Sequence, residues 1–160
     1  MAVCFDDRGH YLRHVVHVRE DSCIERRNYV MLSVMNRAED WMRQAKRDAT
    51  HAFHALEDGD YEWSCFAAQQ AAEKALKSTF QKRNQEGWGH SLAALCLALS
   101  KEVPVPQEIS DASKRLDKHY IPARYPNGFA SGTPGDYYLK EDAEKAIEDA
   151  QKIIRFCDGL

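Results

Sequence analysis

Residues 61–80 read YEWSCFAAQQAAEKALKSTF. Alanine fills the positions at which a helix must approach its neighbours closely, while Phe66, Leu76 and Phe80 supply bulk. Glu73, Lys74 and Lys77 are expected to face outward, and Glu73 and Lys77 stand four residues apart in the orientation that stabilises a solvated helix. The stretch predicts a helix at the centre of a packed helical domain.

Upstream of it, Ala38, Trp41, Met42, Ala45, Ala49, Ala52, Phe53 and Leu56 recur at three- and four-residue steps, which predicts a first helix with one buried stripe. Asp58-Gly59-Asp60 ends that helix, because glycine takes the left-handed cap conformation readily and aspartate can cap the helix that follows. The second helix is then antiparallel and spans about 61–85. Gly87-Trp88-Gly89 breaks the chain, Leu92, Leu95, Cys96 and Leu99 describe a shorter third helix beginning near His90, and Val103-Pro104-Val105-Pro106 closes it. Ile109, Ala112, Leu116 and Tyr120 mark a fourth helix stopped before Pro122. The span 125–136 holds Pro126, Gly128, Gly132, Pro134 and Gly135, which predicts a long loop that is functional or mobile. Leu139, Ala143, Ala146, Ile147, Ala150, Ile153, Ile154 and Cys157 form the face of a last helix. The expected fold is all-α, an up-down bundle of four to five helices with no strand.

At 160 residues and 44% hydrophobic content, the chain has material for one substantial core. Its 22 basic and 25 acidic residues create no overall field that would draw it onto nucleic acid or an anionic membrane, so any nucleotide or RNA site must be local. No apolar run approaches the ~20 residues that cross a bilayer, which predicts a cytoplasmic protein without a membrane. Residues 1–30 show no sustained period, and periodicity becomes strong from Asn36 onward. Residues 1–34 are therefore expected to be a poorly ordered extension and 35–160 the bundle domain. Five cysteines without a Cys-x-x-Cys pair argue against a disulfide framework or a zinc ribbon, and Cys65, Cys96 and Cys157 are expected in the core. Cys4, His10, His14, His17 and Cys23 are ligand types without zinc-finger spacing, and the expectation is no metal and no cofactor. The phosphate-cradling, dinucleotide-binding, His-Glu-x-x-His and nucleophile-elbow patterns are missing, which disfavours an ordinary kinase, dehydrogenase or zinc hydrolase.

Several separated pieces resemble one family in the right order, that of HEPN-domain proteins, small helical bundles associated with nucleotides and RNA. Ala38-Glu39-Asp40-Trp41 resembles the family's first helix, and Gly59-Asp60-Tyr61 with the run from Gln69 to Lys77 resembles its first turn and second helix. His90-Ser91-Leu92 resembles the opening of its third helix, Tyr120 followed by Arg124-Tyr125-Pro126 its Arg-Tyr-Pro element, and Asp142-Ala143 with Ala146 and Ala150 its final helix. The resemblance covers about residues 36–158. It implies a homodimer and, as partner, a minimal nucleotidyltransferase in a toxin–antitoxin-like pair.

Ribonuclease members are similar in carrying Arg, then four to six residues, then His, placed in a dimer-interface cleft. Here Arg115 and His119 leave three between them, although an i, i+4 relation would put both on one helix face. The implied roles are a proton transfer by His119 and stabilisation of phosphate charge by Arg115, without metal. The bland alternative is that the pair serves the helix end and a carboxylate neighbour. Tyr120, Arg124 and Tyr125 suit a nucleotide or RNA ligand, through guanidinium contact with phosphate and aromatic stacking on a base, and suit equally well the fastening of the loop to the bundle. His90 reads as a helix-start residue oriented by Ser91 or a loop group. Three functions follow: a binding module for nucleotide or RNA, a metal-independent endoribonuclease using Arg115 and His119, and a helical interaction scaffold without a nucleotide site.

Overall fold

The computed structural model describes residues 36–160; the expectations for residues 1–34, including the ligand types from Cys4 to Cys23, lie outside that range. Five helices follow in order: α1 (Ala38–Asp58), α2 (Tyr61–Lys82), α3 (Leu92–Leu99), α4 (Gln107–Asp117) and α5 (Lys140–Asp158). Single-turn 3-10 helices at Pro126–Gly128 and Pro134–Asp136 lie between α4 and α5, and there is no strand among the described residues. None of these helices is long and apolar enough to cross a membrane.

α2 packs against all four other helices, which is why alanine recurs around it: Ala67, Ala68, Ala71, Ala72 and Ala75 are all buried. Small side chains let neighbouring helix axes come close, and the bulk of the core is then supplied by Leu76, Leu92, Leu99, Leu116 and Ile153, all fully buried. Cys65, Cys96 and Cys157 are buried among them as expected. The buried hydroxyl of Ser64 donates to the Ala52 carbonyl at 2.7 Å and joins α1 to α2. Gly59 adopts φ +87°, and the Asp60 amide donates to the Ala55 carbonyl at 2.9 Å, so the α1 terminus closes in the glycine-capped geometry. Asp60 occupies the N-cap of α2 without a side-chain capping bond.

Three helix limits differ from the sequence reading. α2 stops at Lys82, with Asn84 at φ +55°. α3 starts at Leu92, because Ser91 is its N-cap and accepts from the Ala94 amide at 3.2 Å. α4 ends at Asp117, well before Pro122, and its carboxylate caps α3: it accepts from the Leu92 amide at 2.7 Å, the Ala93 amide at 3.1 Å and the Ser91 hydroxyl at 2.8 Å. His119 and Tyr120 therefore stand in the turns beyond α4. The α1 stripe is also narrower than its periodicity implies: Ala38, Met42, Ala45, Ala52 and Ala55 are buried, whereas Phe53 is 48% exposed.

The long connection holds itself in place. Asp136 accepts from the Thr133 amide and hydroxyl at 2.7 and 2.9 Å, the Tyr137 hydroxyl donates to the Ser131 carbonyl at 2.7 Å, and Phe129 stacks on Tyr137 at 4.3 Å. It brings Tyr138 to the side of His119.

Candidate functional site

The two residue groups singled out by the sequence occupy two different settings. Arg115 points from α4 to α5, where its Nε and Nη2 donate to the two oxygens of Asp149 at 2.6 and 2.9 Å. Asp149 is buried, its side chain 1% exposed, and Lys145 Nζ also lies 3.4 Å from it. The hydrogen bond to Asp149 raises the Arg115 pKa, and the Nε/Nη2 edge of its guanidinium is closed on a carboxylate. The carboxylate neighbour of the bland alternative is thus present, as Asp149.

His119 is no longer one helical turn from Arg115, since its amide bonds the Leu116 carbonyl in a tightened turn. Its Nδ1 lies 3.3 Å from the Tyr138 hydroxyl. Burial lowers the imidazole pKa, with Lys118 adding to the effect and Asp142 opposing it, so His119 is neutral at neutral pH. Burial raises the Tyr138 phenol in turn. His119 lines a cleft of about 240 Å³ with Lys118, Pro122, Phe129, Tyr137, Tyr138 and Asp142. A neutral imidazole beside an ammonium there has the chemistry of a proton acceptor next to an anion site.

Tyr120, Arg124 and Tyr125 come together, with Phe66 of α2 as a further member. The Arg124 Nε donates to the Tyr120 carbonyl at 2.9 Å. Its guanidinium carbon lies 4.4 Å from the Phe66 ring centre, 4.7 Å from Tyr120 and 5.2 Å from Tyr125. Cation–π attraction to three rings fixes the plane of the guanidinium. Nη1 and Nη2 make no hydrogen bond among the described residues, so two nitrogens with four N–H donors stay available for an anion. Trp63 packs edge-on to Phe66 at 6.1 Å, and Trp63 and Tyr125 are 49% and 48% exposed.

A third cluster was missed. Glu73, expected on an outward face, is 4% exposed. Its carboxylate accepts from Lys77 Nζ at 2.9 Å, Gln70 at 3.3 Å and Gln69 at 3.4 Å, and lies 3.1 and 3.3 Å from His90 Nδ1. A carboxylate only accepts, so Nδ1 carries a proton toward Glu73, and Nε2 makes no hydrogen bond among the described residues. Glu73, and neither Ser91 nor a loop group, orients this imidazole, which also stacks on Tyr120 at 5.0 Å and 16°. Lys74 is likewise drawn inward, pairing with Asp48 of α1. Position along the helix was the available signal: Glu73 stands three and seven residues before Leu76 and Phe80, on the helix face that those two bury. Among the described residues, no three His, Cys, Asp or Glu side chains gather into a group able to hold a metal ion.

An all-α bundle with an α2 of this wording, an oriented histidine before α3 and an arginine clamped by aromatic rings after α4 defines one class of small helical domain. The family model of the HEPN domain matches residues 38–160, and the chain belongs to that family. Its fold is similar to that of TT1696 from Thermus thermophilus, with 47% identity and a TM-score of 0.76 over 78% of this chain and 98% of that one. It is also similar to ST0689, an archaeal HEPN homologue, with 38% identity and a TM-score of 0.66 over 76% of this chain and 95% of that one. A HEPN domain protein from Thermotoga maritima, tm0613, shares 40% identity at a TM-score of 0.63, covering 76% of this chain and 96% of its own. No curated protein matches the chain.

Proposed function

We propose that this HEPN domain is a cytoplasmic binding module for a nucleotide or RNA, working as a homodimer beside a minimal nucleotidyltransferase in a toxin–antitoxin-like pair. The observation that carries the reading is the Arg124 guanidinium, held among Phe66, Tyr120 and Tyr125 with both Nη nitrogens unspent. Phosphate rewards such a fork, and the half-exposed rings of Tyr125 and Trp63 offer faces to a base. Calorimetry with adenosine monophosphate tests it. Arg124→Ala weakens binding by roughly 1.5 to 3 kcal/mol, the scale of charge-assisted hydrogen bonds, and Arg124→Lys recovers only part because the fork is lost. Equal affinity in wild type and Arg124→Ala contradicts the reading.

A second reading, a metal-independent endoribonuclease using Arg115 and His119 at a dimer cleft, is favoured by one feature: a neutral His119 lining a cleft beside Lys118. The closed Arg115–Asp149 pair weighs against it. Chelator-treated protein that cleaves single-stranded RNA, with cleavage lost in His119→Ala, would reverse the order. Neither binding nor cleavage would leave a scaffold.

A further inference from the structure

Beyond His90 from Arg124 lies a cleft of about 350 Å³, lined by Trp41 of α1, Lys77 and Gln81 of α2, and the connection Glu86, Gly87, Trp88, Gly89 and His90. Its outer wall is Trp88, whose side chain is 81% exposed. An indole left this open is a large stacking face without an aromatic partner among the described residues. The wall is also held in position. A Cβ on Gly87 would come within 3.0 Å of Phe80 and 3.2 Å of both Leu95 and Lys77, so the backbone just before Trp88 is pressed onto the bundle. Lys77 is fixed by Glu73 and sits 5.8 Å from the Trp41 ring centre.

The charge on the cleft is small. Lys77 is matched by the buried Glu73 carboxylate, and Glu86 stands on the rim. A lining of two indoles with amide and imidazole edges suits a flat, neutral ring that carries hydrogen-bonding groups, and suits a phosphate poorly. His90 belongs to the cleft and is also the ring stacked on Tyr120, which lies against Arg124. Phosphate-binding and ring-binding stations are thus neighbours, separated by one imidazole and one phenol.

We propose that the Trp41–Trp88 cleft is a second base-binding station, and that the ligand is a single-stranded oligonucleotide laid across both stations rather than a mononucleotide. This rests on the Arg124 reading. In it, Arg124 holds a phosphate while Tyr125 and Trp63 face one base; the strand passes His90, and another base enters the cleft against Trp88, where His90 Nε2 and Gln81 meet its edge.

The experiment compares three probes on the full chain: adenosine monophosphate, an adenylate RNA pentamer and the same pentamer as DNA. Wild type, Trp88→Ala and Arg124→Ala are measured by calorimetry. Trp88 is exposed, so its removal leaves the fold intact, which circular dichroism verifies. The expected result is tighter binding of a pentamer than of the monophosphate, an about tenfold loss for the pentamer in Trp88→Ala, within the range of one stacked base, and no change for the monophosphate. Arg124→Ala weakens every probe that binds. Preference for the RNA pentamer identifies RNA as the source, and equal binding of both pentamers identifies single strands of either sugar. A pentamer bound no tighter than the monophosphate, or unaffected by Trp88→Ala, overturns the second station while monophosphate binding sensitive to Arg124 leaves the first in place. No binding of any probe overturns both.

Discussion

Replacing Glu73 by glutamine decides between a buried hub and a solvated helix pair. On a solvated face, the Glu73–Lys77 pair would contribute about 0.2–0.5 kcal/mol, the usual value for an i, i+4 ion pair. Here the Glu73 and Lys77 side chains are 5% and 14% exposed, and the carboxylate is shared by four side-chain donors. Glutamine keeps the shape but removes the charge, leaves one acceptor oxygen for those donors, and introduces an amide that must face an ammonium or an imidazole N–H. Removing one partner of a buried pair costs about 3–5 kcal/mol. Lys77 can reach some water, and His90, whose side chain is 57% exposed, can turn outward, so about 2–3 kcal/mol is expected. Urea unfolding followed by circular dichroism measures it, with an unchanged denaturant slope showing that the same surface is exposed. Glu144→Gln is the control, since Lys140–Glu144 has the same spacing at 66% and 54% exposure and a change below about 0.5 kcal/mol is expected. A loss of only about 0.5 kcal/mol in Glu73→Gln, matching the control, would refute the buried hub.

Asp117→Ala removes the cap that α4 supplies to α3, and a loss of about 1–2 kcal/mol is expected, with faster hydrogen exchange at the Leu92 and Ala93 amides; unchanged exchange there would contradict the capping role. His119 makes stability depend on pH with a definite sign. Its folded pKa lies below its unfolded value, so below about pH 6.5 the unfolded chain binds more protons, and stability is lost as pH falls from there toward the folded pKa. His119→Gln should therefore be less sensitive than wild type as pH falls below about 6.5, and an equal slope in both would contradict the buried neutral imidazole.

The helical order was legible because its signals are local. Stripes such as Ala143, Ala146, Ile147, Ala150 and Ile153 are read along one element, and Gly59 or Pro104 punctuates without reference to the rest of the chain. What failed was tertiary. α4 ends at Asp117, well before the proline at 122, and the carboxylate at its end reaches α3 across 25 residues. Phe53 continues the α1 period, yet no neighbouring helix covers its position. The spacing of Glu73 and Lys77 is the same on a wet face and in a dry one, and only the face that Glu73 shares with Leu76 and Phe80 distinguished them. The Arg124 cluster was half legible: Tyr120 and Tyr125 are near in sequence, whereas Phe66 is brought in by packing. Arg115 could not be assigned a partner because Asp149 lies 34 residues away on α5.

Nuclear magnetic resonance of the isotope-labelled chain, titrated with adenosine monophosphate, tests the binding claim most directly because it reports place as well as affinity. The account predicts shifts at the Arg124 side-chain Nε–H, the amides from Tyr120 to Tyr125 and the Trp63 indole, with Arg115 and the ring of His119 unmoved. Shifts centred on His119, Tyr137 and Tyr138, or no shift with the nucleotide at millimolar concentration, would contradict it.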